Sequence, residues 1–209
     1  MTDLPVVKQV IEWIRALMAK FAQWFVEITR GKVSASQVTW AGLVMHVPAA
    51  WLIAYGHFPL AILLLVVFGL FDSLDGAVAR ATQTASPAGM VLDAFADRLK
   101  ETLIHAPLVY YFTQSSKPTL ALIPAVALGM ALSTNFLKAK AEVAYQVRHP
   151  GVKTLHEINT MFSDGFLSFE VRTVIIIVGM AIGSPMAVAV CELVVALGVW
   201  QRPRDMRRI

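Results

Sequence analysis

The chain contains 209 residues, of which 57% are hydrophobic and only 15% are charged, and its net charge is +4. Soluble domains are typically about 45–50% apolar and about a quarter charged, and a chain of this length has too little interior to hide so many apolar side chains from water. The composition therefore excludes an ordinary soluble domain and indicates an integral membrane protein. The single cysteine, Cys191, excludes a disulfide within the chain and is interpreted as a small buried hydrophobic side chain.

The first predicted element is an amphipathic helix over residues 4–29. Apolar side chains recur there every three or four residues, with charged side chains between them. This pattern is typical of a helix that lies in the lipid headgroup region. A helix that packs beneath the membrane bundle is the alternative, and both descriptions are compatible. Residues 1–33 are therefore predicted to form a juxtamembrane segment, followed by a transmembrane domain over residues 34–209.

Six apolar stretches follow, and each approaches the ~20 residues that a helix needs to cross about 30 Å of hydrocarbon. The segments between several of them are rich in glycine, serine and proline, which favour turns. The predicted fold is all-α, with the N-terminal interfacial helix followed by six transmembrane helices over residues 36–55, 58–80, 88–113, 118–143, 165–182 and 185–201.

The distribution of lysine and arginine predicts the orientation. The loops after spans one, three and five contain a single basic residue, Lys117, whereas the loops on the other side and both terminal segments contain many. By the positive-inside rule, both termini and the loops over 80–88 and 144–164 face the cytosol. The sequence thus predicts a multi-pass protein of the cell (inner) membrane, with the charged halves of spans two and three at the cytosolic face.

Four aspartates lie where hydropathy predicts membrane helices: Asp72, Asp75, Asp93 and Asp97. Ionisable groups at such depth are costly and are usually functional. Because each helical residue turns by about 100°, Asp72 and Asp75 lie about 60° apart, and Asp93 and Asp97 about 40° apart. Each helix therefore presents a pair of carboxylates, and the seven-residue stretch 81–87 suits a tight loop that makes the two helices antiparallel neighbours.

Four neighbouring carboxylates repel one another unless a cation neutralises them. Arg80 and Arg98 are the basic residues nearest to them in the sequence, and aspartates that pair with these arginines or cap helices are the alternative interpretation. Hard divalent cations prefer oxygen ligands, so the pattern predicts Mg²⁺, or Mn²⁺. Two such ions about 3.5–4 Å apart suit a phosphoryl displacement. The small residues Gly76, Ala79 and Gly89 leave room on these faces, and the planar guanidinium of Arg80 suits a phosphate.

The pattern D-x2-D-G-x2-A-R-x8-G-x3-D-x3-D in this segment resembles the signature of the CDP-alcohol phosphotransferases, also called CDP-alcohol phosphatidyltransferases. All eight defined positions match, and the resemblance extends over nearly the whole chain. It implies an enzyme of phospholipid biosynthesis that transfers a phosphatidyl group from a CDP-linked lipid, such as CDP-diacylglycerol, to the hydroxyl of a small alcohol and releases CMP. It also implies a homodimer, with no nucleic acid among its partners.

The resemblance assigns roles to individual residues. Asp72 and Asp93 would bridge two metal ions, Asp75 would hold one and Asp97 the other, and Asp97 would accept the proton of the incoming hydroxyl. Where relatives often carry T-P-N or T-P-D before the first span, this chain has S-A-S-Q-V-T. The residues expected to contact the CDP-lipid are Ser34, Ala35, Ser36, Gln37, Gly76, Ala79, Arg80, Ser86 and Gly89.

Four basic residues suggest the acceptor. Lys138 and Lys140 lie at the cytosolic end of span four, Arg148 follows in the loop, and Arg172 opens span five. They are interpreted as a pocket for a phosphate on the acceptor, although snorkelling lysines and arginines that fix topology are the alternative. The segments K-A-K-A-E and G-F-x5-R resemble the branch of the family that makes phosphatidylinositol phosphate, and phosphatidylglycerophosphate synthases also use a phosphorylated acceptor. The expected acceptor is a small polyol phosphate, such as inositol phosphate or glycerol 3-phosphate; an unphosphorylated alcohol is the alternative.

Two other classes of membrane protein remain as rivals: an intramembrane prenyltransferase, which also binds a diphosphate through Mg²⁺, and a divalent cation transporter. The first would need a second, distant acidic cluster, and the second would need acidic residues in several spans. His46 and His105 are interpreted as packed or hydrogen-bonded side chains, and Glu192 as a polar interhelical contact. The loop histidines are assigned no role.

Overall fold

The computed structural model describes residue 16, residues 19–84, 86–152 and 157, and residues 169–200; for residues 70–73, 169–170 and 198–200 it describes the backbone alone. All regular secondary structure in these ranges is helical, which confirms the predicted all-α class. Of the predicted amphipathic helix, residues 19–29 form a helix, named α1 here, and most of the remainder lies outside the described residues. An interfacial position for this helix stays a prediction.

The remaining helices agree with the predicted spans to within a few residues at most ends. They are α2 (Ala35–Ala54), α3 (Phe58–Ala81), α4 (Pro87–Gln114), a short 3-10 helix (Pro118–Ala121), α5 (Leu122–Arg148), α6 (Phe169–Ile182) and α7 (Pro185–Trp200). The largest difference is α5, which continues to Arg148 where a loop was predicted from residue 144. No glycine or proline occurs between Met130 and His149, ahead of Pro150 and Gly151, so the polar last turns of α5 stay helical.

Three of these helical stretches are long and apolar enough to cross a membrane: Ala35–Ala54, Phe58–Ala81 and Pro118–Arg148. Helix α4 is long enough but carries charges in its first half, and α6 and α7 have 14 and 16 residues, fewer than the ~20 that a perpendicular span needs. The prediction of six spans therefore stays a prediction.

The chain divides into two compact units. The first comprises Met1–Leu52 and Leu60–Leu103. Its best-defined hydrophobic cluster joins α1, α2 and α3 through the buried residues Ala22, Val38, Leu74, Ala77 and Val78. Helix α1 thus packs against the two following helices, which was the alternative to a purely interfacial helix, while its larger side chains Phe21, Trp24 and Ile28 are exposed.

The second unit comprises Ile53–Pro59 and Ile104–Ile209, and in it α7 packs against both α5 and α6. A Cβ atom at Gly179 would lie 3.0 Å from Cβ of Cys191 and 3.1 Å from Cα of Val188. Glycine therefore allows α6 and α7 to approach closely, as small residues do between membrane helices. Cys191 itself is partly buried, so it is less buried than the small buried hydrophobic side chain that the sequence indicated.

His46 and His105 have the polar contacts that the sequence predicted. Nδ1 of His46 donates a 2.8 Å hydrogen bond to the carbonyl oxygen of Gly42, one turn earlier. Within the second unit, Nδ1 of His105 lies 2.9 Å from Oε2 of Glu192, and both side chains are almost fully buried. Glu192 therefore makes a polar contact between α4 and α7, which confirms its interpretation.

Candidate active site

The turn between α3 and α4 is stabilised by local hydrogen bonds at both helix ends. Gln83 adopts a left-handed conformation (φ 54°), and the N–H of Thr84 donates to the carbonyl of Ala79 at 2.9 Å, which ends α3. Ser86 caps the N-terminus of α4, because its Oγ accepts a 3.1 Å hydrogen bond from the N–H of Gly89. Pro87 occupies the first helical position. These bonds define the short turn that joins α3 to α4, the two helices that carry the four aspartates.

Asp75 is the most deeply buried of the three aspartates whose side chains are described, at 6% exposure. Its Oδ2 accepts a 2.6 Å hydrogen bond from Oγ1 of Thr39 on α2. Its Oδ1 accepts one from the N–H of Gly76 at 2.5 Å. Thr39 is itself buried at 5% exposure. Each carboxylate oxygen of Asp75 therefore has a donor, which fixes the orientation of the group, since buried polar atoms are costly when unsatisfied.

Helix α4 brings its own charged groups towards Asp75. Asp93 lies close enough to Asp75 for the two carboxylates to repel each other, and Lys100 lies close enough to attract it. Asp97, one turn after Asp93, is about a quarter exposed, and its oxygens face different cations. Oδ1 lies 3.9 Å from Nζ of Lys100, and Oδ2 lies 3.7 Å from Nη2 of Arg98. The predicted proximity of carboxylates from α3 and α4 is thus present for Asp75 and Asp93.

The fit of these residues to a divalent ion follows from their chemistry and placement. Among the described side chains, no three acidic, histidine or cysteine groups gather tightly enough to hold an ion by themselves; the side chain of Asp72 is not among those described. Two mutually repelling carboxylates, one of them buried and fixed by two hydrogen bonds, form an oxygen donor set suited to Mg²⁺ or Mn²⁺. The residues present therefore fit a divalent cation, with Asp72 one turn before Asp75 on the same helix.

The expected phosphate-binding end of α3 combines an exposed guanidinium with a small residue. Arg80 is exposed and Ala79 is partly buried. A Cβ atom at Gly76 would meet only Nη1 of Arg80, at 3.4 Å. Gly76 therefore leaves space directly beside the guanidinium, where the fork of N–H donors can approach a phosphate.

The segment before α2, which was expected to contact the CDP-lipid, forms a reciprocal helix cap. Oγ of Ser34 accepts from the N–H of Gln37 at 3.3 Å, and Oε1 of Gln37 accepts from the N–H of Ser34 at 2.9 Å, which is a capping box. Ser34, Ser36 and Gln37 are exposed and Ala35 is partly buried. The residue that sequence reasoning missed is Thr39: it lies in the same stretch, but no sequence pattern connects it with Asp75, 36 residues later.

The four basic residues expected at the acceptor all lie in the second unit, in different environments. Lys138 forms a 3.7 Å ion pair with Glu142, whereas Nζ of Lys140 lies 5.5 Å from the ring centroid of Phe136. Two residues apart on a helix, Lys138 and Lys140 project about 160° from each other. Arg148 is exposed near the end of α5 and Arg172 is buried on α6. Lys138 and Lys140 therefore do not share one face of α5.

Apolar helices that carry an oxygen-rich acidic site define the class of the molecule, a helical membrane protein with a carboxylate site on two neighbouring helices. A family model described as CDP-alcohol phosphatidyltransferase matches residues 32–200. The chain belongs to the CDP-alcohol phosphatidyltransferase family, and its membership confirms the resemblance seen in the sequence.

Individual relatives share part of the chain. It is 38% identical over 96 residues to the archaetidylinositol phosphate synthase of Aeropyrum pernix, covering 45% of this chain and 46% of that protein. It is 32% identical over 117 residues to the phosphatidylinositol phosphate synthase of Corynebacterium glutamicum, covering 54% and 53%. The chain thus spans about half the length of these curated relatives.

Solved structures match over most of the chain. The phosphatidylinositol phosphate synthase of Mycobacterium tuberculosis with CDP-DAG bound has a TM-score of 0.74 and 22% identity, covering 91% of this chain and 94% of that one. Its complex with manganese and citrate also has a TM-score of 0.74 and 22% identity, covering 91% and 88%. At this level of identity the likeness concerns the fold.

Proposed function

We propose that the protein is a magnesium-dependent enzyme that transfers a phosphatidyl or related lipid-phosphate group from a CDP-linked lipid to the hydroxyl of a small polyol phosphate, with release of CMP. The observation that carries this proposal is the buried Asp75, whose two carboxylate oxygens each accept a hydrogen bond, within a complete family signature. Family membership supports the reaction class, and the acidic donor set supports a divalent ion.

The proposed mechanism assigns steps to residues of this chain. Arg80 binds the diphosphate of the CDP-lipid, and Gly76 leaves room for it. Asp97 accepts the proton of the acceptor hydroxyl, whose oxygen forms a bond to the lipid-linked phosphorus. The bond from that phosphorus to the oxygen of CMP breaks, and CMP leaves with the electron pair. When bound by Asp72, Asp75, Asp93 and Asp97, two divalent ions supply neutralisation of the developing phosphoryl charge.

The remaining lipid contacts are proposed around this centre. Ser34, Ala35, Ser36 and Gln37 lie at the N-terminus of α2, and Ser86 and Gly89 at the N-terminus of α4. Exposed helix N-termini carry unpaired backbone N–H groups and favour anions. Because Ser34, Gln37 and Ser86 already cap their helices, we expect their contribution to come partly through these backbone groups.

The acceptor is proposed to be a phosphorylated polyol of the inositol phosphate or glycerol 3-phosphate type. The names of the relatives support an inositol phosphate, and the positive charge of Lys138, Lys140, Arg148 and Arg172 supports a phosphate on the acceptor. An unphosphorylated alcohol is the second candidate.

The membrane arrangement is part of the same proposal. Six spans follow from the apolar stretches of the sequence, and cytosolic termini with a cytosolic active site follow from the lysine and arginine distribution. A homodimer follows from the family resemblance. Residues 1–33 form the proposed juxtamembrane segment of this arrangement, and residues 34–209 form its catalytic transmembrane domain.

The test uses the purified full chain in detergent with CDP-diacylglycerol and Mg²⁺. CMP release is measured with inositol 3-phosphate, glycerol 3-phosphate, free inositol and serine in parallel. We expect CMP release with a phosphorylated polyol, and exchange of labelled CMP into CDP-diacylglycerol. Absence of both reactions with every acceptor would reject the proposal.

A further inference from the structure

Lys100 is a cation inside the acidic site, and it is not one of the residues of the family signature. Its side chain is fully buried, at 0% exposure, on the first half of α4. Nζ lies 3.9 Å from Oδ1 of Asp97, and the ammonium also attracts Asp75. All three residues belong to the same unit.

A buried lysine is costly unless anions compensate its charge. The carboxylates of Asp75 and Asp97 provide that compensation. Arg98, the other cation at Asp97, differs because its side chain is 29% exposed and also approaches Glu101, at 3.8 Å. The Lys100 side chain is fully buried, so it interacts with these carboxylates through a lower dielectric than a partly exposed cation does.

We infer that Lys100 is a positioning residue that holds Asp97 and makes tight binding of divalent ions depend on the CDP-lipid. This inference rests on the proposed function, because it concerns the proposed metal ligands. Two divalent ions already match the charge of four carboxylates. The Lys100 ammonium beside them leaves the loaded site with excess positive charge, and the diphosphate of the CDP-lipid offsets that excess.

Two effects follow from this charge balance. Without the lipid, Lys100 opposes the entry of metal ions, so that the site loads weakly. With the lipid, the diphosphate and the ions bind together, and Lys100 also attracts the diphosphate. Replacing Lys100 by a neutral residue should therefore tighten metal binding in the absence of lipid by about tenfold or more, since a unit charge at this range in a partly enclosed site is poorly screened.

The test measures Mn²⁺ binding directly, from the electron paramagnetic resonance signal of free Mn²⁺, with and without CDP-diacylglycerol. Full-length protein in detergent is compared with Lys100→Met, Lys100→Gln and Lys100→Arg. Lys117→Met, which removes a charge from an exposed loop, is the matched control. We expect wild type, Lys100→Arg and the control to bind Mn²⁺ at least tenfold more tightly with the lipid. We expect Lys100→Met and Lys100→Gln to bind tightly in both conditions.

The outcomes separate this inference from the proposed function. Wild-type protein that binds no Mn²⁺ even with the lipid would reject the proposed metal site. If the wild-type protein and both neutral variants bind Mn²⁺ with the same affinity in the absence of lipid, the role of Lys100 alone is rejected. If both neutral variants fail to fold while Lys100→Arg folds, Lys100 is a structural ion-pair partner, and the inference is also rejected.

Discussion

The hydroxyl of Thr39 donates a 2.6 Å hydrogen bond to Oδ2 of Asp75, and this bond joins α2 to α3 across 36 residues of sequence. Both side chains are buried, and the second oxygen of Asp75 is held by the N–H of Gly76. The orientation of a proposed metal ligand is therefore set by a helix that carries none of the aspartates. Replacing a group that orients a ligand in this way typically costs about 10–100-fold in metal affinity or activity.

Replacing Thr39 by valine tests this relationship. The substitution keeps the size and branching of the side chain but leaves Oδ2 of Asp75 without its donor, which costs about 1–3 kcal/mol. We expect the Mg²⁺ concentration for half-maximal CMP release to change about tenfold or more, with the protein still folded. Thr39→Ser retains the hydroxyl and should stay close to wild type. Equal Mg²⁺ titrations for the valine and serine variants would contradict the positioning role.

Asp97→Asn tests the proposed proton acceptor. The amide has almost the same shape, but it cannot accept the proton of the acceptor hydroxyl and it is a poorer metal ligand. We expect CMP release to fall by about 10²-fold or more, with an unchanged circular dichroism spectrum and elution volume. Arg98→Gln, which removes the charge of the neighbouring, partly buried cation, should reduce activity much less. Normal turnover in Asp97→Asn would remove this residue from the mechanism.

Metal removal tests the cofactor. Treatment of the purified protein with excess EDTA should abolish CMP release, and added Mg²⁺ or Mn²⁺ should restore it, because four carboxylates need cations to bind a diphosphate. Dilution of the chelator without added metal is the matched control. Full activity in EDTA would be incompatible with a divalent cofactor.

The buried contact between His105 and Glu192 predicts a non-additive effect on stability. Glu192→Leu leaves His105 buried without its partner, and we expect it to lower the free energy of unfolding by about 1–3 kcal/mol. The double variant with His105→Leu should be more stable than the sum of the two single effects predicts. Thermal unfolding of all four proteins in detergent measures this coupling. Purely additive changes would mean that the two groups do not stabilise each other.

Gly179 and Gly129 form a matched pair of helical glycines. A methyl group at Gly179 would press on the backbone of Val188, whereas one at Gly129 would meet no atom within 4 Å. We expect Gly179→Ala to destabilise the protein by about 1–3 kcal/mol and Gly129→Ala to be neutral or slightly stabilising, because alanine favours helix. The two melting temperatures in detergent give the comparison. A neutral Gly179→Ala would indicate that α6 and α7 can separate without cost.

Local sequence patterns predicted the helices well because turn residues mark their ends. Glycine and proline between apolar stretches placed most boundaries within a few residues, and helical periodicity placed Asp75 and Asp93 towards each other. The end of α5 was missed because its last turns are polar, and polarity alone does not stop a helix. The number of membrane spans stays a prediction, because one half of α4 is apolar and the other half is charged.

The contacts that sequence could not predict depend on side chains distant in the chain. Nothing in the sequence distinguishes Thr39 from other threonines; its hydroxyl reaches Asp75 because α2 packs against α3. Lys100 follows the signature by three residues, and only its burial distinguishes it from an exposed lysine. The opposite directions of Lys138 and Lys140 follow from helical geometry, but two lysines so close in sequence were interpreted as one basic pocket.

The packing of α1 has a practical consequence for work with this protein. Ala22 on α1 belongs to the same cluster as Val38 and Leu74, and these two residues directly precede Thr39 and Asp75. Shortening the chain at its amino end, or fusing a bulky tag close to α1, would therefore disturb this hydrophobic cluster, which packs next to the hydrogen bond between Thr39 and Asp75. Catalytic measurements on shortened or tagged versions would then reflect the packing of this cluster as well as the chemistry.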